Sequence, residues 1–193
     1  MKIILISVAL LMAIFIAVLS YYGFFTSPII LQKHISPVAL VYNKHIGAFK
    51  NTGPIMDKIY LQLLNEDNIQ ATRGFGIYYD DPKTTDKDNL RSIVGWVIED
   101  KDKIRVAELG NKYNFAEFPS SNCIVAEFPF KGKLSVFIGA LKVYPKLTDY
   151  LSTSNLPMVP IMEIYDQPNK KIIYIAAVHQ KMHVFDWFLD NAR

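Results

Sequence analysis

A carboxylate held between bulky apolar neighbours on one strand face is the clearest place in this sequence for chemistry. In Pro160–Tyr165 the alternation of a strand puts Ile161, Glu163 and Tyr165 on one face and Met162 and Ile164 on the other. If that face lines a cleft, Glu163 is partly desolvated and its pKa tends upward when unliganded. It would then attract a cationic or hydrogen-bond-donating ligand. A solvent-facing or lysine-paired Glu163 is the plainer alternative, because buried carboxylates are uncommon. Tyr79, Tyr165 and Trp96 are candidate cleft walls, since aromatic faces supply apolar area and cation–π attraction; core packing is the alternative for each. Glu127, in Cys123–Phe128 opposite Ile124, Ala126 and Phe128, is a candidate second carboxylate, or simply an exposed strand residue. In a hydrolase, Glu163 would be the general acid or base and Glu127 its partner.

Other reactive groups lead less far. His179 and His183 have the i, i+4 spacing of two metal ligands on a helix, but nothing nearby supplies further ligands, and the glutamate of a His-Glu-x-x-His motif is missing. Cys123, the one cysteine, has no adjacent base and excludes an intramolecular disulfide; it reads as a small buried side chain. No Walker A loop, G-x-S-x-G or G-x-G-x-x-G occurs. The charges of residues 80–103 are of both signs, which fits a solvated loop and gives no phosphate-binding stripe. No cofactor is implied, and nucleic acid is not an expected partner.

These residues need a scaffold. Val38–Ile46 reads as a strand, and Thr52-Gly53-Pro54 opens a helix with a capping hydroxyl and an early proline. Ile55, Ile59 and Leu63 give that helix its apolar face to about Leu64. Gly74–Tyr79 and Ser92–Ile98 are strands joined by a polar loop, followed by a charged, weakly helical connector over Asp100–Lys112. Phe115, Phe118 and Pro119 return the chain to the sheet. Then come a strand over Cys123–Phe128, a helix over Leu134–Leu151 that Pro145 should kink or break, and strands over Pro160–Tyr165 and Lys171–Val178.

The order strand, helix, strand, strand therefore occurs twice. Tyr79-Asp80-Asp81-Pro82 and Tyr165-Asp166-Gln167-Pro168 echo one another at corresponding strand ends. The expected fold is α+β: two βαββ repeats forming a mainly antiparallel sheet, with helices on one face and a cleft on the other.

Twenty-four of the first 31 residues are apolar and only Lys2 is charged, whereas the other 162 residues are about 46% apolar, as is ordinary for a globular domain. Ile3–Phe25 is long enough as a helix to cross a bilayer, with Tyr21, Tyr22, Phe24 and Phe25 at headgroup level and Pro28 closing it. An uncleaved anchor is favoured over a signal peptide because the apolar run exceeds the usual h-region, although Val18-Leu19-Ser20 would tolerate cleavage. The charges flanking the run do not set its orientation. The expected organisation is an anchor over 1–25, a tether over 26–36, a domain over 37–178 and a tail over 179–193. Val184–Leu189 in that tail would pack on the domain or touch membrane or a partner.

Several runs together resemble a known family: Val41-Tyr42-Asn43-Lys44-His45-Ile46-Gly47, Gly76-Ile77-Tyr78-Tyr79-Asp80-Asp81-Pro82, Val94-Gly95, Phe128-Pro129-Phe130 and Glu163-Ile164-Tyr165. In order and spacing they are similar to the GyrI-like domains of the SOUL/gyrase-inhibitor superfamily. The resemblance implies a two-repeat fold whose cleft binds a small hydrophobic or cationic ligand or a protein segment, with the Glu of the Glu-x-Tyr motif, here Glu163, contacting cationic ligands. A minority of the family hydrolyses strained rings. A single-pass member of the endoplasmic reticulum (ER) membrane acts as a selective ER-autophagy receptor through a tail motif of the aromatic-x-x-aliphatic type. Here Phe185, Trp187 and Phe188 are not followed three residues on by Leu, Ile or Val. The implied location is the ER membrane with a cytosolic domain in a eukaryote, or the inner membrane in a bacterium.

Overall fold

A computed structural model describes residues 1–108, 110 and 112–178. His179, His183 and the tail segment Val184–Leu189 lie outside the described residues. Helix α1 (Lys2–Tyr21) is followed by β1 (Ile30–Ile35), β2 (Val38–Ile46), α2 (Thr52–Asn65), β3 (Arg73–Tyr78) and β4 (Arg91–Ile98). Then come α3 (Lys103–Glu108), β5 (Asn114–Phe118), β6 (Ser121–Pro129), α4 (Lys133–Thr153), β7 (Ile161–Asp166) and β8 (Lys171–Ala176). The fold class is α+β, and the two βαββ units are β2-α2-β3-β4 and β6-α4-β7-β8.

All eight strands form one antiparallel sheet in the order β1-β6-β8-β7-β3-β4-β2-β5. Exchanging the two units leaves that order unchanged, so the sheet has an approximate two-fold axis between β3 and β7. The extra strands cross over: β1 leads into β2 but pairs with β6, and β5 leads into β6 but pairs with β2. Ile35 pairs with Ser121 and Val38 with Phe118, in one common register. The chain pair β1–β2 and β5–β6 is therefore a single ladder, interrupted where Pro37 and Pro119 would face each other and neither can donate a backbone hydrogen bond. This long bent ladder curls the sheet into a half-barrel.

The structure departs from the sequence-based expectation at four places. Ile30–Ile35, expected as tether, is a strand of the sheet; its residues are mostly exposed because it is an edge. The side away from the helices, expected to hold an open cleft, is packed: Leu40, Phe75, Ile77, Val97, Phe118, Val125 and Met162 fill the concavity because the curl brings opposite strands together. Helix α4 continues through Pro145, whose exposed position leaves the unbonded carbonyl of the preceding turn facing solvent. Thr52 likewise does not cap α2; its hydroxyl donates to the Phe49 carbonyl at 2.8 Å, closing the short turn that precedes the helix.

On the helix side α2 packs on Val41, Trp96 and Ile98. Helix α4 packs on Ile124, Ala126, Phe128, Ile172 and Tyr174. Gly95 lets β4 approach β2, since a Cβ there would lie 1.9 Å from the Val41 carbonyl oxygen. Helix α1 has no buried residue and is the one described helix long and apolar enough to cross a membrane, at about 30 Å.

Candidate functional site

Glu163 sits in the middle of β7, on the helix side of the sheet, next to the two-fold axis. It pairs with Gly76 of β3 on one flank and Tyr174 of β8 on the other. Its side chain is enclosed, at 4% exposure. Both oxygens are engaged: the Tyr144 hydroxyl, from α4, donates to Oε1 at 2.7 Å, and the Tyr165 hydroxyl donates to Oε2 at 2.9 Å. Because the one hydroxyl proton of Tyr165 goes to the carboxylate, Tyr78 donates to the Tyr165 oxygen, 3.1 Å away. The chain of donors is thus Tyr78 to Tyr165 to Glu163, with Tyr144 arriving from the other side.

The floor exists because β3 has glycines where other strands have side chains. A Cβ at Gly76 would lie 2.7 Å from the Tyr78 hydroxyl and 2.8 Å from its ring, so Tyr78 can fold back across the strand only over a glycine. At Gly74 a Cβ would lie 2.7 Å from the Met56 methyl. Tyr78 packs edge-on against Phe49 at 4.8 Å, and Phe130 lies 6.1 Å from Tyr165. The enclosure is therefore built from both halves.

Burial drives the electrostatics. It pushes the Glu163 carboxyl up to about 7, against the hydrogen bonds from Tyr144 and Tyr165, which pull downward. Burial, followed by the proximity of Glu163, holds the Tyr144 and Tyr165 phenols well above their ordinary range. Tyr174 is similarly buried, and its hydroxyl has no hydrogen-bond partner among the described residues. An enclosed carboxyl able to gain or lose a proton near neutrality, ringed by tyrosines, can hold an organic cation or exchange a proton with a bound group.

Of the expected residues, Glu163 and Tyr165 come together. Trp96 is on the same side but belongs to the α2 packing: its indole donates to the Met56 carbonyl at 2.8 Å and its ring lies 5.0 Å from Tyr60. Tyr79 points to the opposite side of β3 from Tyr78, against the barrel core with Arg91 5.9 Å from its ring centre. Glu127 faces away from α4 and is exposed, paired with Lys171 at 3.0 Å and Lys33 at 3.6 Å. It cannot act with Glu163, because neighbouring strand residues alternate faces and Glu127 pairs with Ile173, not with a residue of the site face.

Sequence reasoning missed Tyr78, Tyr144 and Tyr174. Gly74-x-Gly76 was the available signal, since glycines inside a strand mark close approach of another group. The Tyr79/Tyr165 echo misled by one residue. With Gly76 paired to Glu163 on the axis, the two-fold relates Gly74 to Ile161 and Tyr78 to Tyr165, so Tyr78 is the true counterpart of Tyr165.

Elsewhere, an open groove of about 770 Å³ lies between β2 and α2 and is lined by Tyr42, Lys44, Ile55, Lys58 and Asn114. It does not reach Glu163. The group that titrates near neutrality is the enclosed carboxylate; in the groove, burial pushes the Tyr42 phenol up to about 12.

Testis-expressed protein 264 homolog of Mus musculus is 27% identical over 139 residues, 69% of this chain and 43% of that protein. Testis-expressed protein 264 of Homo sapiens matches equally, over 42% of its length. The chain thus spans less than half of these relatives. In fold it is similar to the EcmrR C-terminal domain, with a TM-score of 0.54 at 10% identity over 80% of this chain and 99% of that one. SAV2435 bound to tetraphenylphosphonium gives a TM-score of 0.50 at 13% identity over 81% and 97%. EcmrR in its DNA complex gives 0.56 at 10% identity over 93% and 70%. The GyrI-like small molecule binding domain matches residues 32–174, from within β1 to within β8, and the chain belongs to that family.

Proposed function

We propose that this chain is a membrane-anchored binding module that takes an apolar cation, or a cationic protein segment, at Glu163. The observation that supports this most is the enclosed carboxylate whose two oxygens are held by Tyr144 and Tyr165. A delocalised cation repays the desolvation of Glu163 without demanding water, and tyrosine faces suit it. The similar fold of SAV2435, bound to tetraphenylphosphonium, supplies a probe. Entry requires the tyrosines that enclose Glu163 to move aside.

The test is thermal unfolding of the full chain in detergent with increasing tetraphenylphosphonium. Stabilisation that grows with ligand concentration is expected, and Glu163→Gln should abolish most of it. Binding should strengthen as pH rises through about 7, because the ionised carboxyl is the form that pairs with a cation. An identical response from the variant removes Glu163 from the site.

Anchoring by α1 belongs to this proposal, with Ile3–Phe25 in the bilayer. The amino-terminal sequence of membrane-extracted protein checks it, since a start near Tyr21 would mean a cleaved signal. An adaptor role in selective ER autophagy, with the domain in the cytosol, follows from the resemblance alone; loss of ER turnover on deleting the gene, restored by the full chain, would support it. A hydrolase is the second reading, favoured by a carboxyl titrating near neutrality. Binding without product on long incubation would dismiss it.

A further inference from the structure

The end of α1 is built into the domain. Tyr22 and Ile30 pack against the α4 core cluster. Gly23, at φ +86°, brings the chain against Phe128, where a Cβ would lie 2.9 Å from the ring. Three lysines complete the joint. Lys131 lies 5.4 Å from the ring centre of Tyr21, Lys142 donates to the Phe24 carbonyl, and Lys146 donates to Ser27 Oγ at 3.2 Å. The middle of α4, through Lys142 and Lys146, and Lys131 just before it are therefore held beside the point where α1 ends.

The outward side of α4 carries Leu134, Phe137 and Leu141, at 41%, 62% and 58% exposure. Their spacing puts them on one stripe. Lys133 begins the same helix, and Asp149 is the one acidic residue along it. Exposed apolar residues flanked by lysines, on a helix tied to the aromatic end of an apolar helix, have the composition of an interfacial membrane surface.

We infer that the first three turns of α4 lie on the bilayer that α1 crosses, with Leu134, Phe137 and Leu141 in the headgroup region and Lys133 on anionic lipid. This rests on the anchoring reading above. It would hold the domain flat against the membrane. Phe137 stands two turns before Tyr144 on the same flank of α4, so an apolar cation dissolved in the interface would meet the edge of the Glu163 enclosure from the lipid side.

The experiment places a fluorescent label at Phe137→Cys in the full chain reconstituted in phosphatidylcholine vesicles with and without phosphatidylserine. Ile104→Cys, exposed on α3 in the other half, is the control. Cys123 is buried and does not compete for label. The label at 137 should be roughly threefold less quenched by aqueous iodide than that at 104, quenched by nitroxide lipid, and more so with phosphatidylserine. In unlabelled protein, Phe137→Asp should make the region around α4 faster in hydrogen exchange on vesicles and leave it unchanged in detergent. Protein that floats with vesicles but leaves both labels equally open to iodide overturns the inference alone. Protein that does not float overturns the anchoring reading beneath it. Shielding at 137 that depends on protein concentration and not on lipid assigns the stripe to a second copy and overturns the lipid assignment.

Discussion

Tyr78 and Tyr165 meet hydroxyl to hydroxyl at 3.1 Å although 87 residues separate them. Each folds back two residues along its strand, Tyr78 over Gly76 and Tyr165 onto Glu163, so the contact sits on the axis relating the two halves. The carboxyl is thus braced by groups from both units and from α4.

Glu163 makes stability depend on pH. Its folded pKa of about 7 lies above the ordinary 4.5, so the folded state holds its proton where the unfolded chain has released it. Stability is full below 4.5 and falls as pH rises to about 7, by about 3 kcal/mol. Chemical denaturation at both ends of that range should show this loss in the wild type and its absence in Glu163→Gln.

Tyr144→Phe removes the 2.7 Å bond to Oε1. A bond to an ionised group contributes about 2 kcal/mol, so the loss should be larger above pH 7 than below 5. That bond also holds the Glu163 pKa down, and the midpoint of the pH-dependent stability loss should move upward in the variant.

Gly76→Ala should destabilise by about 1–3 kcal/mol, because the new methyl displaces the Tyr78 ring and breaks its contact with Tyr165. Gly95→Ala should be worse, since its clash is with the Val41 backbone, whereas Gly53→Ala meets open space and should be neutral within about 0.5 kcal/mol. Denaturation midpoints of the three variants give the ranking.

The Cys123 thiol is fully buried, and burial pushes its pKa upward. It should resist thiol reagents in the native state and react at the rate of unfolding, so labelling with increasing denaturant should follow the global transition.

The fold was readable where burial imposes a period. The strands around Val41, Val94, Val125 and Ile164 and the helices around Ile59 and Leu147 carry their patterns locally. Strand β1 was not readable, because Ile30–Ile35 is an edge whose partner, β6, lies about ninety residues away in the chain. For the same reason the closing ladder at Pro37 and Pro119 could not be seen, and without it the concave side looked open. At the site, Glu163 was legible from its strand neighbours. Tyr144 was hidden because a tyrosine within an apolar helical face looks like core, and Tyr78 because a chance echo one residue out of register drew attention to Tyr79.

The axis through the Gly76–Glu163 pair carries a consequence for symmetry itself. Were the two halves identical and assembled as a homodimer, two glutamates would stand directly opposite each other on adjacent strands, about 5 Å apart and with no water between them. Neither could ionise easily, and the Tyr78 ring would lose the space that Gly76 leaves for it. Joining the halves in one chain lets one half supply the carboxylate and the other the empty space beside it, so the enclosed, hydrogen-bonded carboxyl depends on the repeat being imperfect at that one position.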